Sequence, residues 1–257
     1  MRNTGQMLMT ALAFPDVWLL DHRLPLDRVP MALLVTGLFG IVGYLSRGVT
    51  RSGALAGTIL AFILYAAAGA PAFMTLLGVF LLTWLTTRLG YARKSGLGLA
   101  ESRRGRRASQ VFANVGAAAG FALLGVFVPV LQVAAAATLA EAAADTASSE
   151  CGQAFSQRSY LITTWRRVEV GTDGGISIPG TLASMFATCI IAALAVYTSW
   201  IPRSDALIVA FAGFLGTIVD SLLGATLERR GLLNNDGVNF SSTIAAGLLS
   251  LLFLHTR

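Results

Sequence analysis

The sequence predicts an all-α polytopic membrane protein with about eight transmembrane helices, and three observations support this. Hydrophobic residues make up 55% of the 257 positions and charged residues only 12%, whereas a soluble domain carries about 25% charged residues. Several apolar runs approach the roughly 20 residues that a helix needs to cross a bilayer. Basic residues flank these runs, where they set topology and meet anionic lipid. We therefore expect a membrane partner and no nucleic-acid partner.

The first half of the chain predicts a surface segment followed by four helices. Residues 1–28 contain short apolar patches typical of an interfacial helix rather than a signal peptide. A single transmembrane domain is expected over 29–257. Pro30 opens its first helix, Pro71 separates the second from the third, and Pro129 ends the fourth, because proline interrupts helices. These helices are expected at about 30–46, 54–69, 72–91 and 110–128, with the polar, basic segment 91–110 outside the membrane.

The second half predicts four more helices and one structured loop. Alanine, the best helix former, dominates the fifth helix. The loop at 152–178 contains LITTWRRVEV, whose alternation favours a short β-hairpin. The helices are expected at about 131–150, 179–200, 204–229 and 238–255.

The distribution of positive charge predicts the orientation. With eight spans, the loops that follow helices 1, 3, 5 and 7 hold 14 of the 19 lysine and arginine residues. The positive-inside rule makes that side cytoplasmic, with both termini outside. We therefore expect an integral protein of a bacterial cytoplasmic membrane with its active face toward the cytoplasm.

An internal match suggests two repeated units. GVTRSGALAG at 48–57 aligns with GISIPGTLAS at 175–184. Units at 29–129 and 131–257 would then share one orientation, related by a pseudo-twofold axis along the membrane normal. The alternative is that small residues recur because membrane helices pack through them.

The fifth helix carries acids in an otherwise small and apolar sequence. Glu141 and Asp145 share one face with Ser148 or Ser149, whereas Glu150 points elsewhere on an ideal helix. Such acids either join neighbouring helices or sit in headgroup water, or they form a metal-capable site. We favour the metal-capable site, because placing a carboxylate within a membrane helix costs free energy and such residues usually have a function.

The seventh helix repeats glycine and acid at four-residue steps. Gly216, Asp220, Gly224 and Glu228 therefore lie on one face. Glycines there allow close approach of a helix or a ligand. Plain helix packing with Glu228 in solvent is the alternative, but we expect Asp220 to be functional.

A glycine-rich turn precedes the sixth helix, and a polar turn precedes the eighth. The first turn contains Asp173, Gly174 and Gly175 and leads to the N-cap candidate Ser177. Backbone N–H groups at a helix start suit a phosphate, although the pattern also fits a turn and a cap alone. Asn239 or Ser241 opens the eighth helix.

Arg166 and Arg167 could pair with phosphate oxygens or merely set topology. Carboxylates, Mg²⁺, arginine and helix N-termini are together the parts that phosphoryl transfer from a nucleoside triphosphate requires. A lipid acceptor would explain why such a site lies in a membrane protein.

The motifs ADTASSECG, GTDGGISIPGTLAS, GFLGTIVDSLLGATLERRG and GVNF resemble the integral membrane family that includes transmembrane protein 19 and plant phytyl-phosphate kinase (domain of unknown function family 92). The likeness covers about residues 30–255. It implies phosphorylation of an isoprenoid monophosphate to its diphosphate, with CTP or ATP as donor. The positions within matching motifs are Asp145, Glu150, Asp173, Gly174, Gly175, Asp220 and Asn239.

Three hypotheses follow. In the favoured one, a prenyl-phosphate kinase holds Mg²⁺ with the catalytic acids Asp145 and Asp220, joined by Glu150, and holds phosphates with the 171–177 turn, Arg166 and Arg167. In the second, the protein is a transporter or flippase of a lipid phosphate or a small anionic solute. In the third, it is a non-catalytic scaffold.

Overall fold

The computed structural model describes residues 26–102 and 105–257, so the surface segment expected at 1–28 lies outside the described residues apart from its last three. Those three, Leu26–Arg28, form a 3₁₀ turn that leads into the first helix. The helices are α1 (Val29–Leu45), α2 (Arg51–Arg88), α3 (Tyr91–Gly96), α4 (Ala108–Leu124), α5 (Leu131–Phe155), α6 (Ile178–Tyr197), α7 (Ala206–Leu223) and α8 (Asn235–His255). A π-helical turn, Gly224–Glu228, continues α7.

The long helix α2 is a hairpin of two antiparallel spans. Gly69 interrupts it with a φ of +79°, a conformation that glycine adopts without a Cβ penalty. Both ends of α2 meet the end of α1 and the residue after it, because Arg51 Nε donates to the Tyr44 hydroxyl and Arg88 Nη2 donates to the Ser46 carbonyl. The hairpin confirms the second and third predicted helices. With the hairpin counted as two, a helix is present at each of the eight predicted positions among the described residues.

Helix α5 is the centre of the bundle. It packs against α2, α4, α6, α7 and α8, and 17 of its 25 residues are buried. Its alanines allow neighbouring backbones to come close, which is how membrane helices associate in the absence of a hydrophobic force between them. The acids of this helix therefore face protein and not lipid.

The bundle has one end that carries most of the described basic residues, which we call the basic end. It comprises the loops 46–50, 89–102, 105–107, 156–177 and 229–234. At the opposite end Arg257 pairs with Asp205 at 2.9 Å, and Trp200 Nε1 donates to Gln132 Oε1 at 3.1 Å.

Part of the polar, basic segment 91–110 is packed into the protein. Residues Tyr91–Gly96 form α3, and the Lys94 side chain is fully buried. It pairs with Glu150 of α5 and donates to the Thr87 carbonyl. The sequence did not predict this short helix or the burial of Lys94, and the ion pair offsets the cost of burying the ammonium group.

The hairpin predicted after α5 is confirmed and has a third strand. Strand β1 (Ser159–Leu161) pairs antiparallel with both β2 (Arg167–Val168) and β3 (Gly175–Ile176). Strand β3 runs directly into α6, so the sheet fixes the start of that helix.

The two segments of the predicted repeat have the same local structure. Thr50 caps α2 by accepting from Gly53 N at 3.1 Å, and Ser177 caps α6 by accepting from Gly180 N at 3.3 Å. A side chain at either glycine would meet a carbonyl oxygen within 2.2 to 2.7 Å. Each capped helix start therefore packs backbone to backbone against another segment.

Candidate functional site

A polar cavity of about 400 Å³ lies at the basic end, between the start of α4, the second half of α5, the loop before α6, the end of α7 and the start of α8. Six carboxylates line it: Glu101, Asp145, Glu150, Asp173, Asp220 and Glu228. Among its described lining residues Arg106 is the only cationic side chain. The cavity is therefore strongly acidic, although the loops around it are basic.

Asp145 of α5 and Asp220 of α7 both line this cavity, close enough for their side chains to interact. Ser242 of α8 donates to Asp220 Oδ2 at 3.1 Å. This bond fixes the carboxylate of α7 from a third helix. The four-residue steps of the sequence thus predicted both faces correctly, and the fold joins them.

Arg106 reaches the same place from the loop before α4. Its Nη2 donates to Thr146 Oγ1 at 3.1 Å, and its guanidinium acts electrostatically on Asp145. Its backbone is fixed as well, because its N–H donates to the Gly48 carbonyl and its carbonyl accepts from Thr50 N. The positive charge is therefore held beside the acid pair by both backbone and side chain.

Glu141 lies one turn deeper in α5 than Asp145. The residue is 1% exposed, and neither carboxylate oxygen accepts a hydrogen bond of ordinary distance and angle among the described residues, although Ser242 lies near enough to interact with it. Gly216 makes room for it, since a Cβ there would lie 2.5 Å from Glu141 Cγ. A buried carboxylate without a partner is costly, so this acid extends the acidic character of the site below the cavity.

The glycine turn predicted before α6 forms one wall of the cavity. Gly174 has a φ of +73° and packs against the π turn after α7, where a Cβ would lie 2.4 Å from Ala225. This contact places Asp173 close enough to Glu228 for their charges to interact. Gly175 and Ser177 also line the cavity.

The first two turns of α8 supply Asn235 and Asn239 to the cavity lining, and Asn239 was among the expected residues. Asn234 caps this helix by accepting from Gly237 N at 2.9 Å. The cap explains why α8 begins before residue 238, the predicted start.

Glu150 and the two arginines of the hairpin are placed differently from the other expected residues. Glu150 borders the cavity, but its carboxylate pairs with Lys94. Arg166 and Arg167 are exposed at the β1–β2 hairpin and do not line the cavity. These two arginines lie at an exposed hairpin, so their positive charge is not part of the cavity.

Sequence reasoning did not assign Arg106, Glu101 or Asn114 to the site, although all three line the cavity. Asn114 is buried, and its Nδ2 donates to the Gln110 carbonyl at 2.9 Å while its Oδ1 has no partner among the described residues. A polar amide near the start of an otherwise apolar helix was the available signal. Nothing in the sequence separates Arg106 from the other arginines of its run.

The donor set fits a magnesium ion that shares its coordination with a ligand. Among residues 26–102 and 105–257, no group of three or more acidic, cysteine or histidine side chains is arranged to hold a metal ion by itself. Mg²⁺ usually binds through one or two carboxylates, water and substrate phosphates rather than in a cage of protein ligands. Asp145 and Asp220 could supply the two carboxylates of such a site.

Comparisons with known proteins agree with the architecture. Residues 34–247 match the family described as integral membrane protein DUF92. An uncharacterised membrane protein of Methanocaldococcus jannaschii is 32% identical over 92% of this chain and 98% of its own length. The chloroplastic protein VTE6 of Arabidopsis thaliana is 28% identical over 81% of this chain and 66% of its own length. An uncharacterised membrane protein of Synechocystis is 31% identical over 75% and 78% of the two chains.

No solved structure matches the chain. The family match covers most of the chain, and five of the described helices, with the α2 hairpin counted as one, are long and apolar enough to cross a membrane. This chain therefore belongs to the DUF92 family of integral membrane proteins.

Proposed function

We propose that the protein is a kinase that transfers a phosphoryl group from a nucleoside triphosphate to an isoprenoid monophosphate, with the basic end facing the cytoplasm. The observation that carries the proposal is the meeting of Asp145 and Asp220 in a cavity that also contains Arg106 and the glycine turn. The motif resemblance to the family of plant phytyl-phosphate kinase supports the same chemistry, and a plant chloroplast protein is among the relatives.

The charge balance of the cavity determines how a nucleotide can bind. Six carboxylates and one guanidinium repel a bare triphosphate. Asp145 and Asp220 would hold Mg²⁺, which when bound neutralises charge on the phosphate oxygens. The triphosphate is therefore expected to enter with its cation and not alone.

The remaining residues position the reacting groups. Arg106 donates to phosphate oxygens, as an arginine in a phosphoryl-transfer site does. Ser177 and the glycine turn, which line the cavity beside the acids, are expected to contact a second phosphate. No general base is required, because the acceptor oxygen belongs to a phosphate that is already ionised. Glu150, neutralised by Lys94, positions α3 against α5 and is not needed as a metal ligand.

The test uses purified protein in lipid nanodiscs with geranylgeranyl monophosphate, Mg²⁺ and radiolabelled CTP or ATP. The wild type is expected to form the diphosphate. The variants Asp145→Asn and Asp220→Asn should each lose about 10²- to 10³-fold in kcat, the range seen when one preorganised electrostatic group is removed. Asp27→Asn is the matched control, because this exposed acid lies at the other end of the bundle.

Two results would contradict the proposal. One is the absence of diphosphate with either nucleotide, and uptake of the lipid phosphate into liposomes would then favour a transporter. The other is turnover that survives in both aspartate variants at the level of the control.

A further inference from the structure

A second cavity of about 380 Å³ adjoins the polar one, and its lining is mostly apolar. It lies between α1, both spans of the α2 hairpin and α4. Phe39, Phe80 and Trp84 line its walls, together with the glycines Gly40, Gly43 and Gly57. Its size falls within the range of ligand sites, about 300 to 1,000 Å³.

The two cavities share three lining residues, Glu101, Arg106 and Asn114. Arg106 therefore stands at the junction between an apolar space and the acidic cavity. Two further arginines, Arg47 and Arg88, line the apolar cavity, and Arg88 stacks over the Trp84 ring at 3.6 Å.

Charge is divided between the cavities in a way that matches one kind of ligand. The acidic cavity has six carboxylates, whereas the apolar cavity has three arginines and one carboxylate, Glu101. A molecule with a long hydrocarbon chain and an anionic head would place its chain among the glycines and aromatic rings and its head at Arg106. A phosphate there would lie next to the proposed metal and nucleotide.

Building on the proposed function, we propose that the apolar cavity holds the hydrocarbon tail of the acceptor lipid, and that its depth sets which isoprenoid chain length is phosphorylated. A tail gains little from the hydrophobic effect when it moves from lipid into protein, because both surroundings are apolar. Selection among tails therefore depends on fit within the cavity walls.

Gly57 is the position at which this fit can be changed without disturbing the fold. A Cβ there would meet only Val111 Cγ1 at 3.8 Å, an ordinary contact, so a larger side chain can extend into the cavity. Gly53 is unsuitable, because a Cβ there would lie 2.2 Å from the Arg106 carbonyl oxygen. Ala54, which also lines the cavity, offers a second position.

The experiment compares prenyl monophosphates of one to four isoprene units as ligands of wild type, Gly57→Ala, Gly57→Leu and Ala54→Leu in nanodiscs. Gly37→Leu is the control, because a Cβ at Gly37 of α1 meets nothing within 4 Å and Gly37 does not line the cavity. Equilibrium binding is measured without nucleotide, and kcat and KM are measured with it. Thermal unfolding shows that each variant is folded.

We expect Gly57→Leu to weaken binding of the four-unit phosphate about tenfold relative to the two-unit one, a difference of about 1.4 kcal/mol. Gly57→Ala should have a smaller effect, Ala54→Leu should shift the profile in the same direction, and the change should fall on KM. The inference would be overturned if folded Gly57→Leu and Ala54→Leu bind the prenyl phosphates with the same chain-length preference as the wild type.

The two proposals fail in different ways. If neither the wild type nor any variant forms diphosphate, but the leucine variants still bind the longer prenyl phosphates more weakly, the tail site is supported and the kinase activity is not. If the wild type forms diphosphate but the substitutions do not change the preference for chain length, the kinase activity is supported and the tail site is not.

Discussion

The buried ion pair between Lys94 and Glu150 gives the sharpest prediction about which acids act in the site. Lys94 is 0% exposed and the Glu150 side chain 8% exposed, and α3 contributes the cation while α5 contributes the anion. Removing one partner of a buried pair leaves an uncompensated charge and costs about 3–5 kcal/mol. The cost is expected to differ between the partners, because Glu150 borders the polar cavity whereas Lys94 lies entirely inside the protein.

Glu150→Gln should therefore fall at the upper end of that range, since it leaves a buried ammonium group with only carbonyl acceptors such as Thr87 O, 2.8 Å away. Lys94→Met should fall at the lower end. The double variant Lys94→Met with Glu150→Gln should recover most of the loss, because no buried charge remains.

The assay is thermal unfolding of the purified protein in nanodiscs, followed by diphosphate formation at a temperature where every variant is folded. Arg158→Met, a basic residue exposed at the same end, is the control. Recovery of both stability and turnover in the double variant is expected if Glu150 only anchors α3 to α5. A stable double variant that remains inactive would refute this reasoning and make Glu150 a metal ligand.

Two further predictions concern the walls of the polar cavity. Gly174→Ala should lower turnover and thermal stability more than Gly231→Ala. Both glycines have φ near +70°, but only at Gly174 would a Cβ meet another segment, at 2.4 Å from Ala225. Equal thermal shifts and unchanged turnover in the two variants would show that the cavity wall formed by the glycine turn is not needed. Arg106→Gln should raise the KM for the lipid phosphate and lower kcat about 10²- to 10³-fold. Arg106→Lys should restore part of the activity. If steady-state kinetics of Arg106→Gln match those of the wild type, this arginine does not bind phosphate.

Periodicity predicted the parts of the site that lie on single helices. Steps of four residues placed Gly216 and Asp220 on one face of α7, and the structure finds Gly216 against Glu141 and Asp220 against Asp145. The same steps separated Glu150 from Asp145 on α5, and these two acids indeed have different neighbours. Such predictions succeed because helix geometry fixes which residues share a face.

Residues that come from loops were not predictable in the same way. The positive-inside rule assigns Lys94, Arg106 and Arg166 to one side of the membrane, but it carries no information on burial. Lys94 is buried because it finds a carboxylate 56 residues away, and Arg106 reaches the acids because its backbone is bonded beside Gly48. Contacts between segments distant in sequence decided which cation serves the site.

The most direct test of the account is a binding measurement that does not depend on turnover. Mn²⁺, as a paramagnetic substitute for Mg²⁺, is titrated into purified protein with CTP or ATP and followed by electron paramagnetic resonance. The account predicts a nucleotide-dependent Mn²⁺ site in the wild type and in Asp27→Asn that weakens at least about tenfold in both Asp145→Asn and Asp220→Asn. Equal Mn²⁺ affinity in all four proteins would contradict the claim that the acids of α5 and α7 together hold the cation.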